Sequence, residues 1–384
     1  MKKIEGYDVK IFTDNIEKNA LAQIKELLSI DVFSDKKIRI MPDVHAGAGC
    51  VIGFTGNLGD KVIPNIVGVD IGCGMRILKL GKLSGIDYHA FHEHIRGNVP
   101  SGMIVREDRF GFKPLVGEEM EIYREAKQLV TEFYCYRELK DTARINKAIG
   151  SLGGGNHFIE LDKDDEGNVY LVIHTGSRNL GKQVADIYQA KAVKHLTDGA
   201  DEFEESIKRT IEEYKAAGRR SELQSVIKKM RKKHQDAEPR LPAALCYVEG
   251  EGREQYLHDM RLCQRWAVLN RKLISLLLMR FFPGVEVKEE FESVHNYISD
   301  DNIIRKGSIS AAEGERCIIP LNMRDGSLLC TGKGNPDWNC SAPHGAGRVL
   351  SRTQAYEKIT MEDFEASMKG IYSESVNDFT RDES

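Results

Sequence analysis

The chain has 384 residues, 41% hydrophobic and 30% charged, and its 55 Lys+Arg nearly balance 59 Asp+Glu to a formal net charge of −4. That length allows one large globular domain or two ordinary ones, and the charge balance provides no global field toward a polyanion, so a nucleic-acid partner would need a local basic patch. No run approaches a membrane span, the N-terminal MKKIEGYDVKIF has no apolar core behind its lysines, and eight scattered cysteines form no CxxC pair; together these predict a cytoplasmic protein with reduced thiols, away from membranes.

In chain order, the first 80 residues read as strands and turns, with KIRIMPDVHAGAG and KVIPNIVGVDIGCGMRILKL as β-rich runs broken by glycines. Residues 82–150 read as mainly helical scaffold, 118–139 with apolar positions near helical spacing. SLGGGNHFIEL and NVYLVIHTGSRNLG then give a Gly-rich turn, a buried strand and a loop after His174 that enters a helix over 182–196. Residues 201–236 turn charged and helical, ending in KKMRKKH before Pro239 and Pro242, and predict an exposed insertion. A long helix over 256–282 follows, apolar enough in its second half to be buried. From Glu286 onward strands and loops return, closing on Gly-rich SAPHGAGRVLSR and a polar tail. Potential ligands recur near residues 43, 70, 155, 175, 295 and 344, separated by long helical stretches. This interleaving predicts one α+β domain over 1–384, mixed β-sheets flanked by helices, with a charged helical insertion at 200–240.

In VGVDIGCGM, a turn between glycines can aim the Asp70 carboxylate and the Cys73 thiolate at one point. Oxygen and sulfur so placed suit a divalent transition metal, and a thiolate can bridge two ions; the alternative is a small buried Cys beside a turn-capping Asp. GGGNHFIE sets Asn156, His157 and Glu160 after three glycines that let backbone approach a ligand or present amides to a phosphate. HTGSRNLG puts His174 at a strand end, with Arg178 at a helix start, an anion-friendly arrangement. Either histidine alone could be structural; two in neighbouring Gly-rich segments point to function. VHNYI adds His295 and Asn296, and RKGS, ending at Ser308, offers a phosphate two cations or is an exposed basic turn. In SAPHGAGR, His344 lies among Gly345, Gly347 and Arg348, where an imidazole can accept a phosphoryl or nucleotidyl group; metal ligation or a structural role are its alternatives. DVHAGAG supplies Asp43 and His45 as substrate-contacting or supporting groups. The other histidines, 89, 92, 94, 195, 234 and 258, read as surface or structural.

Taken together, MPDVHAGAG, VGVDIGCGM, GGGNHFIE, HTGSRNLG, VHN, RKG and HGAGR occur in the order and rough spacing of the RtcB family of RNA ligases, and the likeness runs over nearly the whole chain. The resemblance implies joining of RNA ends bearing a 2′,3′-cyclic phosphate or 3′-phosphate to a 5′-hydroxyl, driven by GTP with two Mn²⁺ ions, in RNA repair or tRNA splicing. It implies that Cys73, His174 and His295 hold one ion and Asp70, Cys73 and His157 the other. His344 would be guanylylated, and Asn156, Glu160 and Arg178 would lie near nucleotide and phosphates, with Asp43 tied to later chemistry. An archease-like activator is the implied partner besides RNA.

Two departures stand out. The stretch IIPLNMRDGSLLCTGKGNPDWNCSAPHGAGR replaces a Gly-Ser-Met-Gly-type loop and resembles a divergent branch. The sequence ends at RDES, short of a family lysine that contacts guanine, so either the chain is truncated or this branch lacks that lysine; a missing tail is expected to weaken GTP binding while sparing the metal site. Two rival readings remain at this stage: a metal-dependent phosphoesterase that opens cyclic phosphates without guanylylation, and a noncatalytic RNA-repair subunit recruited through the basic helix around 228–233.

Overall fold

The computed structural model describes residues 1–197, 200–235, 241–348, 350 and 352–383. It is a mixed α/β structure, 40% helical and 22% strand. A six-stranded sheet runs in the order Lys2–Lys3, Val9–Ile11, Ile38–His45, Ile52–Asn57, Ile303–Lys306, Asn296–Ile298, so its edges come from opposite ends of the chain. Only Val9–Ile11 and Ile38–His45 pair in parallel within it. A four-stranded antiparallel sheet runs Glu289–Val294, Gly74–Lys82, Asn168–Thr175, Phe158–Lys163.

Asn168–Thr175 is buried at every position because both faces of its sheet are covered. Val169, Leu171 and Ile173 enter the main core, whereas Tyr170 and Val172 join a smaller cluster with Met75, Ile77 and Ile318 beneath the hairpin formed by Arg316–Asn322 and Gly326–Thr331. The predicted long helix spans Gly250–Met279, about 45 Å at 1.5 Å per residue. Tyr256, Met260, Cys263, Trp266, Leu273 and Leu277 are among the residues it buries.

One expectation is corrected near the N-terminus: Lys18–Leu28 is a helix, not strands and turns. Its buried Ala20, Ile24, Leu27 and Leu28 follow helical spacing, a signal diluted by the polar residues between them. Within the predicted insertion, helices Ala200–Ala216 and Leu223–Gln235 are described; residues 236–240, where that segment was expected to end, lie outside the described residues. Leu223, Val226, Ile227 and Met230 of the second helix are half-buried, and Lys228, Lys229, Arg231 and Lys232 are exposed. Among the described residues no helix is long and apolar enough to cross a membrane.

Candidate metal centre and adjoining histidine

Five of the predicted site residues meet at one end of the four-stranded sheet, and strand register is the reason. Gly74 pairs with both Val294 and Thr175, and His174 pairs with Phe158. Cys73 precedes Gly74, His295 follows Val294 and His157 precedes Phe158, so the side chains at these positions arrive together. Asp70 joins them through the turn after helix Pro64–Val67, where the Cys73 N–H donates to the Asp70 carbonyl at 3.1 Å. Gly72 makes that turn possible: its φ is +75°, and a Cβ there would sit 2.9 Å from the Gln264 Cα. Gly176 is equally constrained, since a Cβ there would lie 2.3 Å from Asp70 Oδ1.

The imidazoles face the cluster through Nε2. His157 Nδ1 meets the Leu152 carbonyl at 3.0 Å and His174 Nδ1 meets the Asn156 carbonyl at 2.8 Å, so each Nδ1 carries the donated proton. In its neutral form each ring therefore presents an Nε2 lone pair. His157 Nε2 lies 3.0 Å from Asp70 Oδ2 and 3.5 Å from Cys73 Sγ, while His174 Nε2 lies 3.4 Å from both Cys73 Sγ and His295 Nε2. Acceptors crowded this closely repel one another unless a cation or proton sits among them. Asp70–Cys73–His157 and Cys73–His174–His295 each bring their ligand atoms within 4.8 Å of one another, with Cys73 common to both. One thiolate, three imidazoles and a carboxylate make a donor set for divalent transition metals, so the residues present fit such ions.

Protonation points the same way. Burial brings His174 down to about 3 and His295 well below the usual imidazole value, which keeps both rings neutral as ligands must be. Burial, followed by the Asp70 charge, pushes the Cys73 thiol well above its ordinary value; an arriving cation would release its proton. Burial also acts to raise Asp70, but hydrogen bonding and charge from His157 outweigh it and hold its carboxyl below the usual range.

His344 lies beside this cluster, its ring centroid 5.1 Å from that of His295. It follows strand Ser341–Pro343, which pairs with Ser308–Ser310. Its Nδ1 donates to Asp43 Oδ2 at 2.8 Å, leaving Nε2 with a free lone pair. The Asp43 side chain is only 2% exposed and that of His344 22%, so the carboxylate is sealed while the imidazole can be reached. Asp43 lies where pairing of Ile38–His45 with Ile52–Asn57 shifts register, a bulge that turns it toward His344.

The remaining predicted residues divide by what their side chains touch. Arg178 donates to Ser151 Oγ at 3.2 Å and to the Gly102 carbonyl at 2.8 Å. Glu160 accepts from Ser327 Oγ at 3.3 Å, and burial, then Asp162, raises its pKa to about 8. Asn156 is exposed and offers its carbonyl to His174. The Asn296 side chain donates to the Asp70 carbonyl at 3.2 Å and accepts from Gly307 N–H at 3.0 Å, bracing the site's backbone. Ser308 is buried, with Oγ donating to the Phe54 carbonyl at 2.8 Å. His45 Nδ1 meets the Asp43 carbonyl at 3.0 Å. Gly345, Gly347 and Arg348 form the loop after His344; Arg348 is exposed and Gly347 packs where a Cβ would come 3.3 Å from the Asp43 Cα. The two cations of RKGS are not an exposed turn. Arg305 is buried against Ser341, Tyr297 and Ser299, and Lys306 donates to the Asn65 and Ala48 carbonyls, at 3.0 Å to the former.

Sequence reasoning missed Asn270 and Arg271 on the long helix. Fully buried Arg271 donates to the Gly72 and Thr175 carbonyls at 2.9 and 2.8 Å and to Glu292 at 2.7 Å, tying the Asp70–Cys73 turn to the His174 strand. Asn270 accepts from Gly150 N–H at 2.7 Å and donates to the Gly176 carbonyl at 3.3 Å. An Asn-Arg pair inside an apolar helical run was the available signal.

Fold and site together define a mixed α/β protein with a centre able to hold two metal ions and an acid-braced histidine at its edge. The profile of the family described as tRNA-splicing ligase RtcB matches residues 23–383, and the chain belongs to the RtcB family. It is 29% identical over 392 residues to RNA-splicing ligase RtcB of Escherichia coli K12, covering 94% of this chain and 85% of the relative. It is 26% identical over 420 residues to tRNA-splicing ligase RtcB of Aeropyrum pernix, covering 88% and 79%. Against tRNA-splicing ligase RtcB of Methanococcus maripaludis it is 25% identical over 437 residues, covering 94% and 83%.

Proposed function

We propose that this protein is an RNA ligase joining ends with a 2′,3′-cyclic phosphate or 3′-phosphate to 5′-hydroxyl ends, with GTP and two Mn²⁺ ions, in RNA repair or tRNA splicing. The observation that carries the reading is His344, braced by Asp43 and presenting Nε2 beside the metal-capable cluster. Relatives named as RNA- and tRNA-splicing ligases supply the substrate class.

Asp70, Cys73 and His157 would hold one ion, and Cys73, His174 and His295 the other. Bound there, the ions supply positive charge against phosphoryl oxygens. Asp43 keeps the proton on His344 Nδ1, so the Nε2 lone pair is the one that attacks the α-phosphorus of GTP. The N–P bond forms as pyrophosphate leaves, and the Asp43 carboxylate stabilises the positive charge that the ring acquires. An oxygen of the RNA 3′-phosphate then attacks the same phosphorus, returning the electron pair to Nε2 and taking the GMP. The 5′-hydroxyl attacks the 3′-phosphate and displaces GMP, closing the phosphodiester. A cyclic phosphate is first opened by water. Arg178, Asn156, Glu160 and the Gly345–Gly347–Arg348 loop would contact nucleotide or phosphates, with Asn296 and Ser308 holding the backbone around them. An archease-like activator and a cytoplasmic location belong to the same proposal.

The test is incubation with α-labelled GTP and Mn²⁺ followed by denaturing electrophoresis, comparing wild type with His344→Ala. An acid-labile, base-stable labelled band present only in wild type is the expected result. With manganese bound and no band formed, the guanylylation reading fails, and GTP-independent opening of cyclic phosphates becomes the activity to assay.

A further inference from the structure

We propose that the loop over residues 101–113 is a stacking platform for an unpaired strand of the RNA substrate, with the Phe110 ring taking a base and Arg109 and Lys113 taking the flanking phosphates. This rests on the ligase reading for the identity of the strand; its geometry stands on the loop itself.

The loop starts at the site. The Gly102 N–H donates to the Gly153 carbonyl at 2.7 Å, and the Gly102 carbonyl accepts from Arg178 at 2.8 Å. Gly153 is so close to the centre that a Cβ there would stand 2.7 Å from His157 Nδ1. From this anchor the chain runs outward with apolar side chains exposed: Met103 is 82% exposed, Ile104 40% and Phe110 41%. Solitary exposed apolar residues need no explanation, but three within eight positions on a loop that starts at a candidate active site do.

The loop is also built rather than slack. Arg106 donates to the Asn98 and Lys113 carbonyls, at 2.5 and 3.2 Å, and its N–H donates to the Lys147 carbonyl at 2.9 Å, closing both ends of the excursion. Arg144 donates to the Met103 carbonyl. Gly111, at φ +66°, reverses the chain between Phe110 and Phe112, whose ring centroids are 6.2 Å apart. The Arg109 guanidinium lies 4.7 Å over the Phe110 ring and is itself 71% exposed, so aromatic surface and charge form one unit. Of the local carboxylates, Glu107 is already bridged to Arg109 and Lys147, leaving Asp108 as the nearest unbridged acid in the segment. An accessible ring beside exposed cations is the combination that holds single-stranded nucleic acid through base stacking and phosphate contact without base-specific hydrogen bonds.

The test measures binding to a ten-nucleotide single-stranded RNA with a 3′-phosphate by fluorescence anisotropy, and to the same RNA with abasic sugars at its last three positions. Phe110→Ala is expected to weaken binding of the intact RNA about tenfold, within the range for loss of one base stack, and Phe110→Trp to restore it. On the abasic RNA, wild type and Phe110→Ala should bind equally. Arg109→Ala should weaken both RNAs alike and flatten the salt dependence. Unchanged affinity of Phe110→Ala for intact RNA overturns the proposal and leaves the patch to a protein partner; an equal loss on both RNAs overturns it too, because that is the mark of a merely structural role. GTP labelling of wild type, run in parallel, tests the ligase reading separately. A protein that takes no label yet shows the Phe110 pattern would sink that reading and keep the platform.

Discussion

At the scale of single residues, the pair Asp43–His344 separates positioning from metal binding. A carboxylate accepting from Nδ1 fixes the tautomer and stabilises the ring's positive charge as Nε2 bonds to phosphorus; an amide of the same shape carries no charge and can turn its NH2 to the ring, which favours the other tautomer. Asp43→Asn should therefore slow GTP labelling by roughly 10- to 100-fold, the loss of a charged hydrogen bond, while bound manganese measured by atomic emission stays at the wild-type level. Labelling at the wild-type rate would remove Asp43 from the chemistry. All five residues of the metal-capable cluster were named from the sequence, Asp70, Cys73, His157 and His174 in Gly-rich motifs and His295 in VHN, while their division into two ligand sets came from the family resemblance. The Asp43–His344 bond was not legible, since it joins positions 301 residues apart across a β-bulge, and no local pattern encodes that meeting. Nor was the bracing by Arg271, whose signal is a cation in an apolar helix and whose partners are backbone carbonyls.

Elements act on the site through close approach. Strand Asn168–Thr175 delivers His174 and then passes Gly176 against Asp70, so Gly176→Ala forces the carboxylate aside. The variant should fold, by circular dichroism, yet bind manganese at least about tenfold more weakly, as disturbed supporting groups do at metal sites; undiminished affinity would mean Asp70 is not a ligand. A second contact lies on the face of this sheet that carries Tyr170 and Val172. Hairpin Arg316–Thr331 covers Glu160 and Asp162 on strand Phe158–Lys163, and burial, then the neighbouring carboxyl, raises Glu160 to about 8. The folded pKa thus lies above the unfolded 4.5: below about pH 4.5 both states hold the proton, and above it the unfolded state ionises first. Stability should fall as pH rises from 4.5 toward 8. The melting temperature of Glu160→Gln should fall less than that of wild type between pH 6 and 9, and parallel curves would mean the carboxyl ionises freely beneath the hairpin. The stretch forming that hairpin reads in the sequence only as a divergent segment before His344, because two half-buried strands with a Pro-containing bulge give a weak alternating pattern.

For the whole molecule, one core with an inserted hairpin makes a different prediction from two cooperating domains. Both sheets combine early and late strands, with Ile52–Asn57 against Ile303–Lys306 and Gly74–Lys82 against Glu289–Val294, so the core cannot be cut at any single point in the chain. Interleaved ligands in the sequence pointed to this unity, but the sheet order did not follow from them, because long-range pairing depends on which edges meet after collapse. We propose that residues 200–240 are an insertion into that single domain. Its two described helices are in contact, and each withdraws an apolar row from solvent: Ile207, Ile211 and Tyr214 on the first, Leu223, Val226, Ile227 and Met230 on the second. Its root is held independently, by Gln189 donating to the Ala243 and Cys246 carbonyls at 2.7 and 3.1 Å and by Asn65 donating to that of Ala244 at 3.2 Å. Replacing residues 200–236 with a flexible linker of about ten residues should cost little beyond loop-closure entropy. The shortened protein should melt within a few degrees of wild type, bind manganese equally and take the GTP label at an unchanged rate. Because Lys228, Lys229, Arg231 and Lys232 leave with the hairpin, RNA affinity is the one property free to change. A shortened chain that loses manganese or unfolds would make these helices part of the core and end the insertion reading.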